Sequence, residues 1–289
     1  MKSFVTIDYD FFIRHGMFDT ISLPDGSTMP GQYVFDWQMS ETRNPLVEDA
    51  IWKIRAHNFK KLGLDVRELT APEITIPDFA ERVGARMGDV TPMSFYGDSH
   101  GWAGILARDF SKLHGPLNVV NFDAHHDLGY DGDPLARNEK TGNIHCDDWA
   151  IIGLAQGWIG NYTVVYPDWL GLKEWNDRRT ESRKKQAKFP RQIHATTWSK
   201  WRSRIRDVEA MYFCRSSAWV PPWYDDGFVD LRNEFCWSDC IDCMLGQAGS
   251  PYDTCENREW DWEEFAEYVG EREAMYAMLA DVNKLVVKS

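Results

Sequence analysis

Four carboxylates and two imidazoles stand at spacings that suit a metal centre. Asp123-Ala124-His125-His126-Asp127 runs carboxylate, small, imidazole, imidazole, carboxylate. Asp123, His125 and Asp127 are each two residues apart, so in an extended segment they point the same way. Burying so many polar groups without compensation costs roughly 2–7 kcal/mol for each. A divalent cation supplies that compensation, and carboxylates with imidazoles suit manganese, iron or zinc. An isolated His-His-Asp would read more simply as a solvated loop after a strand. Two other stretches favour the metal. Asp8 and Asp10 share one face of the β-rich run Ser3 to Phe12, where paired carboxylates repel unless a cation lies between them. His100 follows a short strand, Met93 to Tyr96, at the level where open parallel sheets bind ligands.

The elements that must carry these groups read as α/β. Leu117 to Phe122 is a short apolar run, as expected of a buried parallel strand. Asn161 to Tyr166 and Glu209 to Cys214 repeat that signal. Helices are expected from Pro45, capped by Asn44, to about Leu62, from Trp102 to about Leu113, and from Asp147 to about Leu154. Asp19 to Arg43 holds Pro24, Gly26, Pro30 and Gly31 and reads as a long loop, as does Leu128 to Asn143. Lys173 to Arg191 is basic and almost free of aliphatic residues, which predicts an exposed insertion. Glu259 to Val287 predicts C-terminal helices. The expectation is one three-layer αβα domain with a mostly parallel central sheet, the insertion at 173–191 and those helices.

Composition narrows the function. The 289 residues include 14 Trp and are 43% apolar, which argues for a folded, aromatic-rich chain. A net charge of −13 disfavours nucleic acid and anionic membrane surfaces as partners. No apolar run approaches the roughly 20 residues needed to cross a bilayer. Six Cys are too few for a disulfide scaffold of this size, and no secretory signal is visible, so a reducing cytoplasm is expected.

Asp123-Ala124-His125-His126-Asp127 resembles the Asp-Ala-His-x-Asp motif of the arginase/agmatinase (ureohydrolase) family. Gly97-Asp98-Ser99-His100 is similar to that family's Gly-Gly-Asp-His stretch, and Thr6-Ile7-Asp8-Tyr9-Asp10 to its Ser-Phe-Asp-Ile-Asp strand. Thr141-Gly142-Asn143-Ile144-His145 resembles the Ser-Gly-Asn-Leu-His segment of arginases. The Asp-x-Asp strand here comes first instead of last, as in the divergent branch that includes the peptide arginases. Those convert arginine residues within a peptide to ornithine.

The resemblance implies two manganese ions, alternatively iron or zinc, bridged by Asp123 and Asp8. His100 and Asp127 would complete one position, and His125 and Asp10 the other. Two such cations lower the pKa of a water between them and supply a nucleophile at neutral pH. The resemblance makes His145 the proton donor to the leaving amine. His126 is set aside because its parity points it away from the ligands. Thr141 and Asn143 match positions that line the substrate pocket. The carboxylate that holds the guanidinium has no clear counterpart, and Asp36, Glu41 and Asp168 are the candidates. The implied partner is an arginine-containing peptide or protein, with Trp219 and Trp223 as a groove wall.

Other readings compete. The same activity could serve free arginine or agmatine. A metal-dependent deacylase of the same fold would keep a single zinc, and a degenerate homologue would only bind peptides. Cys236, Cys240 and Cys243 have the spacing of a radical-SAM cluster loop, and with Cys255 they could hold a structural zinc.

Overall fold

The structure is a computed structural model that describes residues 1–31, 35, 45–88, 92–130, 132–176, 188–235 and 243–245. Its strands are β1 (Ser3–Asp8), β2 (Ile13–His15), β3 (Thr20–Ser22), β4 (Thr28–Pro30), β5 (Thr70–Pro72), β6 (Met93–Gly97), β7 (Leu117–Phe122), β8 (Ile159–Tyr166), β9 (Ile193–Thr197), β10 (Val208–Cys214) and β11 (Cys243–Leu245). Seven of them form one sheet in the order β11-β6-β10-β1-β7-β8-β9, and every neighbouring pair is parallel. The expected mostly parallel sheet is therefore present.

The apolar pattern explains the layers. Along β1, β7 and β10 almost every residue is buried, and alternate side chains enter different cores. Phe4, Val119 and Tyr212 join one core, and Val5, Val120 and Phe213 the other. Helices α2 (Ile76–Met87) and α7 (Asp225–Phe235) cover the second face through Phe79, Val83, Phe228 and Leu231. The first face is covered by α3 (Gly101–His114) and α5 (Trp149–Gln156), through Ala103, Ala107, Trp149 and Ile152. Helix α1 (Pro45–Lys61) instead builds a smaller cluster, with Trp52 and Phe59 beside Phe35. The remaining helices are α4 (Pro134–Thr141) and α6 (Lys173–Asn176).

Because the strands are parallel and in register, their C-terminal ends share one edge. Ile7 pairs with Phe122, Asp8 with Cys214, and Cys214 with Gly97. Each stretch that carries the Asp and His residues leaves the sheet at that edge.

Several sequence expectations need correction. The first strand ends at Asp8, and Tyr9–Phe11 is a 3₁₀ turn, because Asp8 accepts a hydrogen bond from Asp10 N and caps it. The loop expected over Asp19 to Arg43 contains a β3–β4 hairpin. Within Leu128 to Asn143, α4 is capped by Asp133, which accepts from Leu135 N and Ala136 N, and closed by left-handed Gly142. Inside the basic run, α6 buries Glu174 while Lys173 and Asn176 stay exposed, so this one residue departs from the expected solvated face. Asp36, Glu41, Asn44, residues 177–187, Cys236, Cys240, Cys255 and the expected C-terminal helices lie outside the described residues.

Candidate metal centre

Six buried or nearly buried donors converge at the C-terminal edge. Asp8, His100 and Asp123 form one group able to hold a metal ion, and Asp10, Asp123 and His125 form another, with Asp123 common to both. His100 Nδ1 lies 3.0 Å from Asp123 Oδ2, 2.9 Å from Asp127 Oδ2 and 3.3 Å from Asp8 Oδ2. His125 Nδ1 lies 2.8 Å from Asp10 Oδ2 and 3.6 Å from Asp123 Oδ1. All six sequence-predicted ligands meet, at positions that strand alternation alone does not explain. Asp10 arrives through the 3₁₀ turn, and Asp127 sits at φ 50, a left-handed conformation. Tyr9, between Asp8 and Asp10, lines a separate cavity of about 320 Å³ with Phe12, Ile74 and Trp223.

Electrostatics explains why such a cluster favours cations. Burial, then Asp8 and Asp123, push the Asp10 carboxyl well above the carboxylate range. Burial and Asp123 do the same to Asp127. Burial acts against ionised Asp123, but hydrogen bonds from His100 and His125 hold it low. Burial also opposes charge on the imidazoles. Asp127 nonetheless raises His100, and Asp10 raises His125, both well above the ordinary histidine value. Four carboxylates in one dry site thus draw positive charge from protons when nothing else supplies it. Hard oxygen donors with two imidazoles fit divalent manganese, iron or zinc.

Around the donors lies a shell of neutral groups. Thr6 Oγ1 is 2.5 Å from His100 Nε2, Asn121 Nδ2 donates to Asp123 Oδ2 at 3.0 Å, and Trp149 Nε1 donates to Asp127 Oδ2 at 2.7 Å. Tyr162 Oη accepts from Asn121 and donates to the His126 carbonyl at 3.0 Å. Sequence reasoning missed these roles, apart from the match of Thr6 to a strand motif. Parity along β1 and β7 places Thr6 and Asn121 on the face that α3 and α5 cover.

Beside His125 stands an aromatic wall. The Trp219 ring is 5.2 Å from His125, and His15 stacks on His125 at 6.2 Å and on Trp219 at 6.0 Å. Trp223 is elsewhere, packed edge-on against Trp52. Glu174, 5% exposed, is a second group that the sequence reading missed, hidden in a run that looked solvated. It accepts hydrogen bonds from Tyr130 and from Tyr166, the latter at 2.8 Å, and its charge acts on both His125 and His126. Burial and then Glu174 push both phenols well above their ordinary value.

His145 is exposed, and its backbone N–H donates to Asp148 at 2.9 Å. Its segment lies against the start of α3, since a Cβ on Gly101 would come 3.4 Å from the backbone of Ile144, His145 and Cys146. Thr141 and Asn143 are exposed at the end of α4, where Thr141 Oγ1 donates to Arg137 O and accepts from Asn143 N. Asp168, just after β8, is exposed and accepts at 2.9 Å from Ser199 N, in the turn after β9. None of His145, Thr141, Asn143 and Asp168 is drawn into the Asp/His cluster by the hydrogen bonds described.

No protein-family model, no curated protein and no solved structure matches the chain. Among the described residues no helix is long and apolar enough to cross a membrane.

Proposed function

We propose that the chain is a dinuclear-metal hydrolase of guanidino groups, acting on arginine side chains within a peptide or protein and releasing urea. The observation that carries this reading is the pair of adjoining donor sets sharing Asp123. Asp8, Asp123, His100 and Asp127 would hold one ion, and Asp8, Asp123, His125 and Asp10 the other. Bound divalent ions supply charge compensation and an acidified water as nucleophile.

The chain's own residues supply the rest. Glu174 is buried, fixed by two phenol donors and close enough to act on His125, which suits it to hold a planar cation in place of Asp168. Trp219 and His15 form an aromatic wall beside His125. His145, on the segment beside α3, donates a proton to the departing amine nitrogen. Water adds to the guanidinium carbon, the bond from that carbon to the side-chain nitrogen breaks, and urea and an ammonium group result. A single-zinc deacylase reading leaves one of the two donor sets without a task, and the presence of both favours two ions.

The test offers manganese-loaded protein free arginine, agmatine and a peptide with an internal arginine, with assays for urea and ornithine. Urea from the peptide, with ornithine at the arginine position by mass spectrometry, is expected. Turnover of free arginine alone would restrict the reading to small substrates, and no urea from any of them would overturn it.

A further inference from the structure

The shell behind the donors contains a second layer of order. His100 has two ring nitrogens. Nε2 is taken by Thr6 Oγ1 at 2.5 Å, which leaves Nδ1 facing three carboxylates. Thr6 is fully buried and two residues before Asp8 on the same strand, so a single strand supplies both a donor and the group that orients its partner. On the other side, Trp149 Nε1 occupies Asp127 Oδ2, and its ring lies 5.4 Å from the His100 ring. Asn121 holds Asp123 Oδ2 in turn. The His125 position is built differently. Its carboxylates take backbone donors instead, Ala124 N to Asp10 Oδ1 at 3.2 Å and His125 N to Asp123 Oδ1 at 2.7 Å. His125 is also the more open imidazole, 12% exposed against 2% for His100.

We infer that Thr6 and Trp149 are positioning residues dedicated to the His100 position, so that the two metal positions are separately tunable. Outer groups orient a metal's ligands, and their loss typically costs 10- to 100-fold in affinity. The group here that fixes the ring is a hydroxyl, not the carboxylate often found behind a metal-bound histidine. Thr6, Asn121 and Trp149 add no charge to the four carboxylates, a formal −4 that two divalent ions balance.

This inference rests on the two-metal reading, and manganese titration separates the two. Binding is followed by calorimetry and by the free-ion signal in electron paramagnetic resonance, for the unmodified chain, Thr6→Val, Thr6→Ser and Trp149→Phe. The unmodified chain should take two ions. Thr6→Val should weaken one binding event by about 10- to 100-fold and leave the other within about twofold, and Thr6→Ser should restore it. Trp149→Phe, which keeps an aromatic ring but loses the indole N–H, should weaken the same event and covers the case in which Thr6→Val does not fold. Two unchanged events, or two events weakened equally in a folded variant, would overturn the inference and spare the two-metal reading. An unmodified chain that takes up no manganese, iron or zinc would overturn both.

Discussion

Asp10 holds the loop after β7 with both of its carboxylate oxygens. Oδ2 lies 2.8 Å from His125 Nδ1, and Oδ1 accepts from Ala124 N at 3.2 Å. The turn after β1 and the loop after β7 are therefore one unit. A change in either displaces donors that the other contributes.

Removing one charge at a shared donor should cost the site bound metal. Asp8→Asn keeps the shape of the side chain and loses a carboxylate placed 3.3 Å from His100 Nδ1. Metal content should fall from two ions per chain to one or none, with circular dichroism still showing a folded α/β protein. Two ions retained in that variant would remove Asp8 from the ligand set.

The chelated protein should lose stability as pH rises. Asp10 and Asp127 titrate above their unfolded value of about 3.9, so what they contribute is complete below that pH and is lost as pH climbs through their raised values. His100 and His125 act in the same direction, with full contribution below about 6.5 and loss above it. Asp123 is opposite, losing its contribution only as pH falls below the ordinary carboxylate range. Melting of chelated protein should therefore drop from about pH 5 to about pH 9, and manganese should raise Tm more at the alkaline end. A Tm in chelator that climbs over that interval would contradict this account.

Glu174→Gln keeps the volume and loses the charge. For an arginine peptide KM should rise about 10- to 100-fold, the scale of one charge-assisted hydrogen bond, while two ions remain bound. A falling metal count would instead make Glu174 part of the metal centre.

His145→Ala should lower kcat by about 10²–10⁴-fold and leave metal content unchanged. Undiminished turnover would remove His145 from the chemistry.

Gly104→Ala tests packing behind the site. Alanine in a helix ordinarily gains about 1 kcal/mol over glycine, but a Cβ here would lie 2.6 Å from Trp149 Cβ and 2.8 Å from Ile144 Cγ2. Overpacking of about 1–3 kcal/mol should win, and manganese binding should weaken as Trp149 shifts from Asp127. Gly84→Ala, with nothing within 4 Å of the new methyl, should be neutral or stabilising. Thermal melts and metal titration of both variants decide the point.

How much of this was legible in the sequence depends on whether local chemistry or distant packing set the outcome. Leu117 to Phe122 matched its strand because a six-residue apolar run has few alternatives. The donors were legible as residue types, but Asp10 reached the site by a capped turn that alternation does not encode. Glu174 was hidden because its burial depends on Tyr130 and Tyr166, residues far enough away that no local pattern links them to it. Thr6 shares the parity of Asp8 along β1, but its partner His100 comes from the separate segment after β6, and the bond from Trp149 to Asp127 depends on the path of α5, so neither pairing is written in a local pattern.

β1 lies in the interior of the sheet, between β10 and β7, with Ser3 paired to both Val208 and Asn118. A strand made early must therefore wait for one made much later before both of its backbone edges are covered. Until Cys214 has left the ribosome, half the hydrogen-bonding groups of the segment carrying Asp8 lack their native partners, in a run of apolar residues prone to wrong pairings. The metal pocket belongs to that late stage. The full donor set can come together only once β10 lies between β1, which carries Asp8, and β6, which leads to His100.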